Sequence, residues 1–167
     1  PVTPARVFDS RQSVAVQGGN WVQVQIADLA GVPRSATAAL VSLTADGASG
    51  SGYLAAWQCG GTMPIVSNVN YGPNWPAGNG AIVPLSSGGA ICVFSQHRTD
   101  VIVDVFGYVS PSGQRLNISA PTRVFDSRTS IGVVGAGQTV PVQVTGAGKA
   151  ATGSTAVEVN VTATDAQ

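Results

Sequence analysis

Trp21-Val-Gln-Val-Gln-Ile26 alternates apolar and polar side chains along its length. A period of two puts Val22, Val24 and Ile26 on one face of an extended strand and Trp21, Gln23 and Gln25 on the other. The same pattern continues outward from this stretch. Ala38 to Ala45 reads as a more buried strand, with Ala39, Val41 and Leu43 opposed to Leu40, Ser42 and Thr44. Gly47-Ala-Ser-Gly-Ser-Gly52 is a flexible turn, and further strands are expected at Tyr53 to Cys59, Val66 to Tyr71, Ala81 to Leu85, Ala90 to Ser95 and Asp100 to Val109. Each is bounded by Gly, Pro, Asn or Ser clusters, which are turn formers. With Arg6 to Phe8 this gives about eight or nine short strands, and no window carries an apolar stripe at helical spacing. The expected fold is all-β, a two-sheet β-sandwich of jelly-roll or immunoglobulin-like type. A closed barrel satisfies the same pattern.

Pro4-Ala-Arg-Val-Phe-Asp-Ser-Arg11 recurs as Pro121-Thr-Arg-Val-Phe-Asp-Ser-Arg128, so Pro4 and Pro121 stand 117 positions apart (121 minus 4). That period is the size of a domain, above the roughly 20 to 50 residues of a solenoid unit, and it predicts beads that fold separately. With one residue inserted, Val22, Val24 and Ile26 correspond to Val140, Val142 and Val144, and Thr37-Ala38 to Thr155-Ala156. The expected organisation is one complete repeat over 1–109, a short polar linker over 110–120 and the first half of a second repeat over 121–167. The second repeat would then be completed by another copy of the chain or by a longer parent protein.

Among 167 residues only 10% are charged, the formal charge is zero, and Gly alone numbers 21. A weakly charged surface with no basic run argues against nucleic acid as a partner. No apolar stretch approaches the ~20 residues that span a bilayer. The chain does not start with a basic segment followed by an apolar one, so any secretion signal would already have been removed. Cys59 and Cys92 both lie in the first repeat, at the ends of aromatic-bearing strands that can face one another in a sandwich. They lack the CxxC spacing of zinc or redox sites, and a disulfide is expected, with an oxidising, extracytoplasmic compartment as its consequence.

The octapeptide is followed by Gly31-Val-Pro33, Ala36-Thr-Ala38, Gly52-Tyr-Leu54, Trp57-Gln-Cys59-Gly60, Ser67-Asn-Val-Asn70 and Val101-Ile-Val-Asp-Val-Phe-Gly-Tyr108. In that order the motifs resemble a tandem repeat of secreted and cell-surface proteins of actinobacteria. The resemblance covers essentially all of the first repeat and the start of the second. It implies an extracellular location and carries no catalytic role.

Arg6, Asp9 and Arg11, repeated as Arg123, Asp126 and Arg128, form a compact charged set. An Arg fork can clamp a carboxylate or a sugar, but a position repeated in a bead array is expected first to be architecture, with Asp locking the start of the bead. Asp104 lies in mid-strand and is expected to meet Arg6 or Arg11, because an unpaired buried carboxylate is costly. A metal role for it is disfavoured, since no second carboxylate stands at calcium-loop spacing. His97 is the only histidine, and no Gly-x-Ser-x-Gly elbow exists, so no catalytic residue and no cofactor is expected. Tyr71, Asn74 and Trp75 are the candidate glycan contacts, since an exposed ring covers the apolar face of a sugar while amides take its hydroxyls. Trp57, beside Cys59, reads as core packed on the disulfide. Asn117-Ile-Ser119 and Asn160-Val-Thr162 match the glycosylation triplet, here read as chance.

The expected function is that of a non-enzymatic extracellular structural or adhesive repeat protein, assembling with other copies by strand complementation. The alternative is a carbohydrate-binding module for cell-wall or environmental polysaccharide.

Overall fold

The computed structural model describes residues 1–113, 117, 120–146 and 150–164. The chain divides into two compact units, Pro1–Gln114 and Arg115–Gln167.

Unit 1 contains eight strands: β1 (Ala5–Asp9), β2 (Asn20–Gln25), β3 (Ala38–Asp46), β4 (Gly52–Gln58), β5 (Val69–Tyr71), β6 (Ala77–Pro84), β7 (Ala90–Ser95) and β8 (Asp100–Val109). They form two four-stranded antiparallel sheets, ordered β1-β8-β3-β6 and β2-β7-β4-β5. The pairs 1:8, 2:7, 3:6 and 4:5 are one long antiparallel ribbon rolled so that successive pairs alternate between sheets, which is the jelly-roll arrangement. A bridge between Val16 and Thr99 carries the ribbon across from the first pair to the second. Of the two sandwich types expected, this topology selects the jelly roll.

The alternation of β2 and β3 is what closes the roll. Ala39, Val41, Leu43 and Ala45 of β3 have no exposed surface and pack with Val24, Ile26, Leu54, Ile91, Val93, Val101, Val103 and Val105 from both sheets. Burying each of these valine, leucine and isoleucine side chains contributes about 1.5–3 kcal/mol against leaving it in water. The turn from β6 to β7 needs glycine at position 89: its φ is +78°, and a Cβ there would stand 2.2 Å from that of Ala27.

Unit 2 holds the second octapeptide but, among its described residues, no strand; it has a 3-10 turn at Ser127–Thr129 and an isolated bridge between Thr145 and Ala150. The strands expected at Val140–Val144 and Val157–Val161 are therefore not formed. Unit 1 explains why. There, β1 pairs only with β8, β2 only with β7, and β3 only with β6 and β8. The first three strands of the roll never pair with one another. A segment that repeats them alone has the apolar faces without the β6, β7 and β8 strands that pair with them in unit 1, and a lone strand does not hold itself together. Of the triplet Asn117-Ile-Ser119, Ile118 and Ser119 lie outside the described residues.

Candidate functional site

The octapeptide builds a polar clamp on one edge of unit 1. Asp9 ends β1 in an extended conformation and caps the 3-10 turn Ser10–Gln12 by accepting from the Arg11 backbone N–H. Its two oxygens also accept from Arg11 Nε and Nη2 at 2.9 and 2.8 Å, and one accepts from Arg6 Nη1 at 3.2 Å. The Arg11 side chain, chiefly, holds the Asp9 carboxyl down at about 2, and the same bond raises Arg11. Arg6 then forks onto Asp104 of β8, with Nε and Nη2 at 2.9 and 3.2 Å from its two oxygens. That bond raises the Arg6 guanidinium in turn. Arg11 reaches Asp46 at the end of β3 at 3.2 Å. Between them, buried Ser10 donates to Asp100 and accepts the backbone N–H of Val101. The charged set thus fastens β1 to β8 and β3, and its ion-forming groups are occupied by one another.

The second octapeptide repeats the local half of this clamp. Asp126 accepts from Arg128 N, Nε and Nη2 and from Arg123 Nη1, and Arg128 holds its carboxyl well below the usual carboxylate range. Counterparts of the Asp104 and Asp46 bonds do not accompany it among the described residues.

Cys59 and Cys92 form a disulfide with their Cα atoms 5.0 Å apart. It lies within one sheet, tying the residue after β4 to β7, rather than between the two sheets as the facing-strand argument expected. The reason is register: Cys92 is paired with Trp57, one turn of the pleat from Cys59. Two further residues of the motifs quoted above have internal roles of the same kind. Asn68 accepts the Ala56 N–H at 2.8 Å and stitches the β4–β5 hairpin, and Gly107 leaves room for Leu40.

The three candidate glycan contacts are not brought together. Tyr71 is 5% exposed and faces the core, sharing a 2.8 Å hydrogen bond with Ser95 and accepting the His97 N–H at 3.0 Å. As a buried anchor it offers no ring face to a ligand, which removes it from the platform. The alternation of β5 put it inward, beside Val69. Trp75 is 77% exposed, and Asn74 holds a left-handed turn with φ of 62°. His97 sits on the loop after β7, with its backbone engaged by Tyr71 and Ser95.

A second aromatic group was not singled out from the sequence. Pairing across the second sheet sets Trp21 beside Phe94, Phe94 beside Ala55, and Cys92 beside both Gln23 and Trp57. These residues, with Tyr53, share the face turned away from the core. Trp57 is therefore not inter-sheet core: it lies on that outward face, covered by Trp21, whose ring meets it edge-on with centroids 6.3 Å apart. Tyr53 and Phe94 form a second ring pair at 5.7 Å. The signal that could have found the site was Trp21 on the polar face of an alternating strand.

Comparison with known proteins returns no match: no family model, no curated protein and no solved structure matches the chain.

Proposed function

We propose that the chain is a non-enzymatic structural or adhesive protein of the extracellular space, built from jelly-roll repeats and assembled by strand complementation. The observation that carries this reading is the mismatch between two copies of one pattern. Ala39, Val41 and Leu43 are fully buried, while their counterparts Val157, Val159 and Val161 are 38%, 53% and 86% exposed. Bare alternating faces of this kind associate with whatever supplies the missing strands. The strands required are those of the β6–β8 type, from another copy or from further repeat sequence.

Supporting features point the same way. The disulfide fits an oxidising compartment, and no helix among the described residues is long and apolar enough to cross a membrane. The octapeptide and the motifs after it, whose order resembles the actinobacterial repeat, supply internal fastening, which supports an architectural role. Light scattering and electron microscopy of the 167-residue chain under non-reducing conditions test the proposal. Concentration-dependent growth beyond the monomer is expected, and a strictly monomeric chain whose residues 121–164 resist protease would refute it.

A further inference from the structure

The two sheets of unit 1 differ in one respect that complementation does not use. Strands β1, β3 and β8 carry Arg6, Asp9, Asp46, Asp100 and Asp104, whereas no residue of β2, β4, β5 or β7 is Asp, Glu, Lys or Arg. The outward face of that uncharged sheet holds the aromatic group described above.

Beside the Trp21–Trp57 pair is a shallow cavity of about 340 Å³ lined by Trp21, Trp57, Gly60, Gly61, Met63 and Cys92. It falls at the small end of the roughly 300–1,000 Å³ typical of small-molecule sites. Part of its wall is held by internal bonds. The Trp57 indole donates Nε1–H to the Gly61 carbonyl at 3.1 Å, which holds the ring in place and uses up its only polar atom. The disulfide pins Gly60 and Cys92 beneath it. Cys92 is small, and the two indoles lean across it to meet at 70°. Trp21 is left 57% exposed. Next to it on the same face of β2 stands Gln23, exposed, whose side chain has no hydrogen-bond partner among the described residues, whereas the neighbouring Gln25 amide is already bound to Ala27 and Gly88.

We infer that this face is a binding site for a neutral saccharide, with the Trp21 ring stacked on the apolar face of a pyranose and the Gln23 carboxamide bonded to its hydroxyls. The chemistry selects that class. A flat, exposed indole takes the C–H face of a sugar, an amide both donates and accepts, and a sheet without a single charge offers nothing to an ionic polysaccharide or an acidic peptide. The site is separate from Trp75, and it does not depend on the complementation proposed above.

Pull-down of the full chain on microcrystalline cellulose, chitin, insoluble β-1,3-glucan and starch granules, with pectin as the anionic control, tests the inference. Retention on at least one neutral polysaccharide is expected, unchanged in high salt. Trp21→Ala, at a position more than half exposed, is expected to keep unit 1 folded with a small drop in thermal unfolding from the lost ring contact with Trp57, and to weaken retention by about tenfold or more, corresponding to the stacking contribution. Trp75→Ala is expected to bind as the parent chain. No retention on any neutral polysaccharide, retention only on pectin or abolished by salt, or equal binding by Trp21→Ala would each overturn the site. So would loss of self-association as the sole effect of Trp21→Ala, which would make this face a contact between copies.

Discussion

Phe8 and Phe125 occupy the same place in the same octapeptide, each followed by an Asp that caps a 3-10 turn and grips the arginine two residues on. Around Phe8 the rest of the roll is present: β8 offers Asp104 to Arg6 and a buried backbone N–H to Ser10, and β3 offers Asp46 to Arg11. Around Phe125 the local clamp forms and the strands do not. The difference separates what an octapeptide encodes alone, a turn and its ion pair, from what it encodes only jointly, an edge strand. It also shows that the first half of a jelly roll is not half a fold, because its strands alternate with those of the second half in both sheets.

The comparison is sharpest at paired core positions. Leu43→Ala should cost unit 1 about 2–5 kcal/mol in urea unfolding, as loss of a fully buried leucine does. Val161→Ala, its counterpart, should stay within about 0.5 kcal/mol, the range of surface changes, for the unassembled chain. A comparable loss at both would mean that unit 2 has a core of its own. Replacing Cys59 and Cys92 together by Ala should lower the stability of unit 1 by about 3–4 kcal/mol in the chain-entropy account of a 33-residue separation. Unit 2 carries no cysteine and should show no response.

Smaller effects distinguish the two clamps. Ser10→Ala leaves the buried Val101 N–H without its acceptor and should cost about 1–3 kcal/mol, whereas Ser127→Ala, half-buried with no such partner, should leave unfolding unchanged. The Asp9 carboxyl titrates at about 2 in the folded chain and near 3.9 when unfolded. A depressed value stabilises above the unfolded pKa, so its contribution is complete above about pH 4 and is lost as pH falls toward 2. Thermal unfolding between pH 5 and 2 should show this slope for unit 1, and Asp9→Asn should flatten it.

Much of the roll was legible because its strands are amphipathic. β2, β3, β7 and β8 were expected within a residue of where they lie: β2 and β3 carry a period-two apolar face, and β7 and β8 are largely apolar runs bounded by turn formers. β6 was read only from Ala81, yet it begins at Ala77. Gly78, Asn79 and Gly80 pair with β3 through their backbones and carry no apolar pattern to announce it. At the candidate site, the alternation of β2 correctly turned Trp21 away from the core. What joined it to Trp57, Phe94 and Tyr53 was cross-strand register, which only the assembled sheet supplies. Tyr71, at the end of the expected strand from Val66, was grouped with Trp75 for its ring chemistry, whereas the alternation of β5 turns it inward with Val69.

Hydrogen exchange of the backbone amides from Val140 to Ala163, measured on the 167-residue chain across a range of concentrations, tests the central claim most directly. Exchange at nearly unprotected rates in dilute solution is expected, with protection that rises with concentration as strands are supplied by other copies. Strong protection of these amides at every concentration, in a chain that stays monomeric, would contradict it.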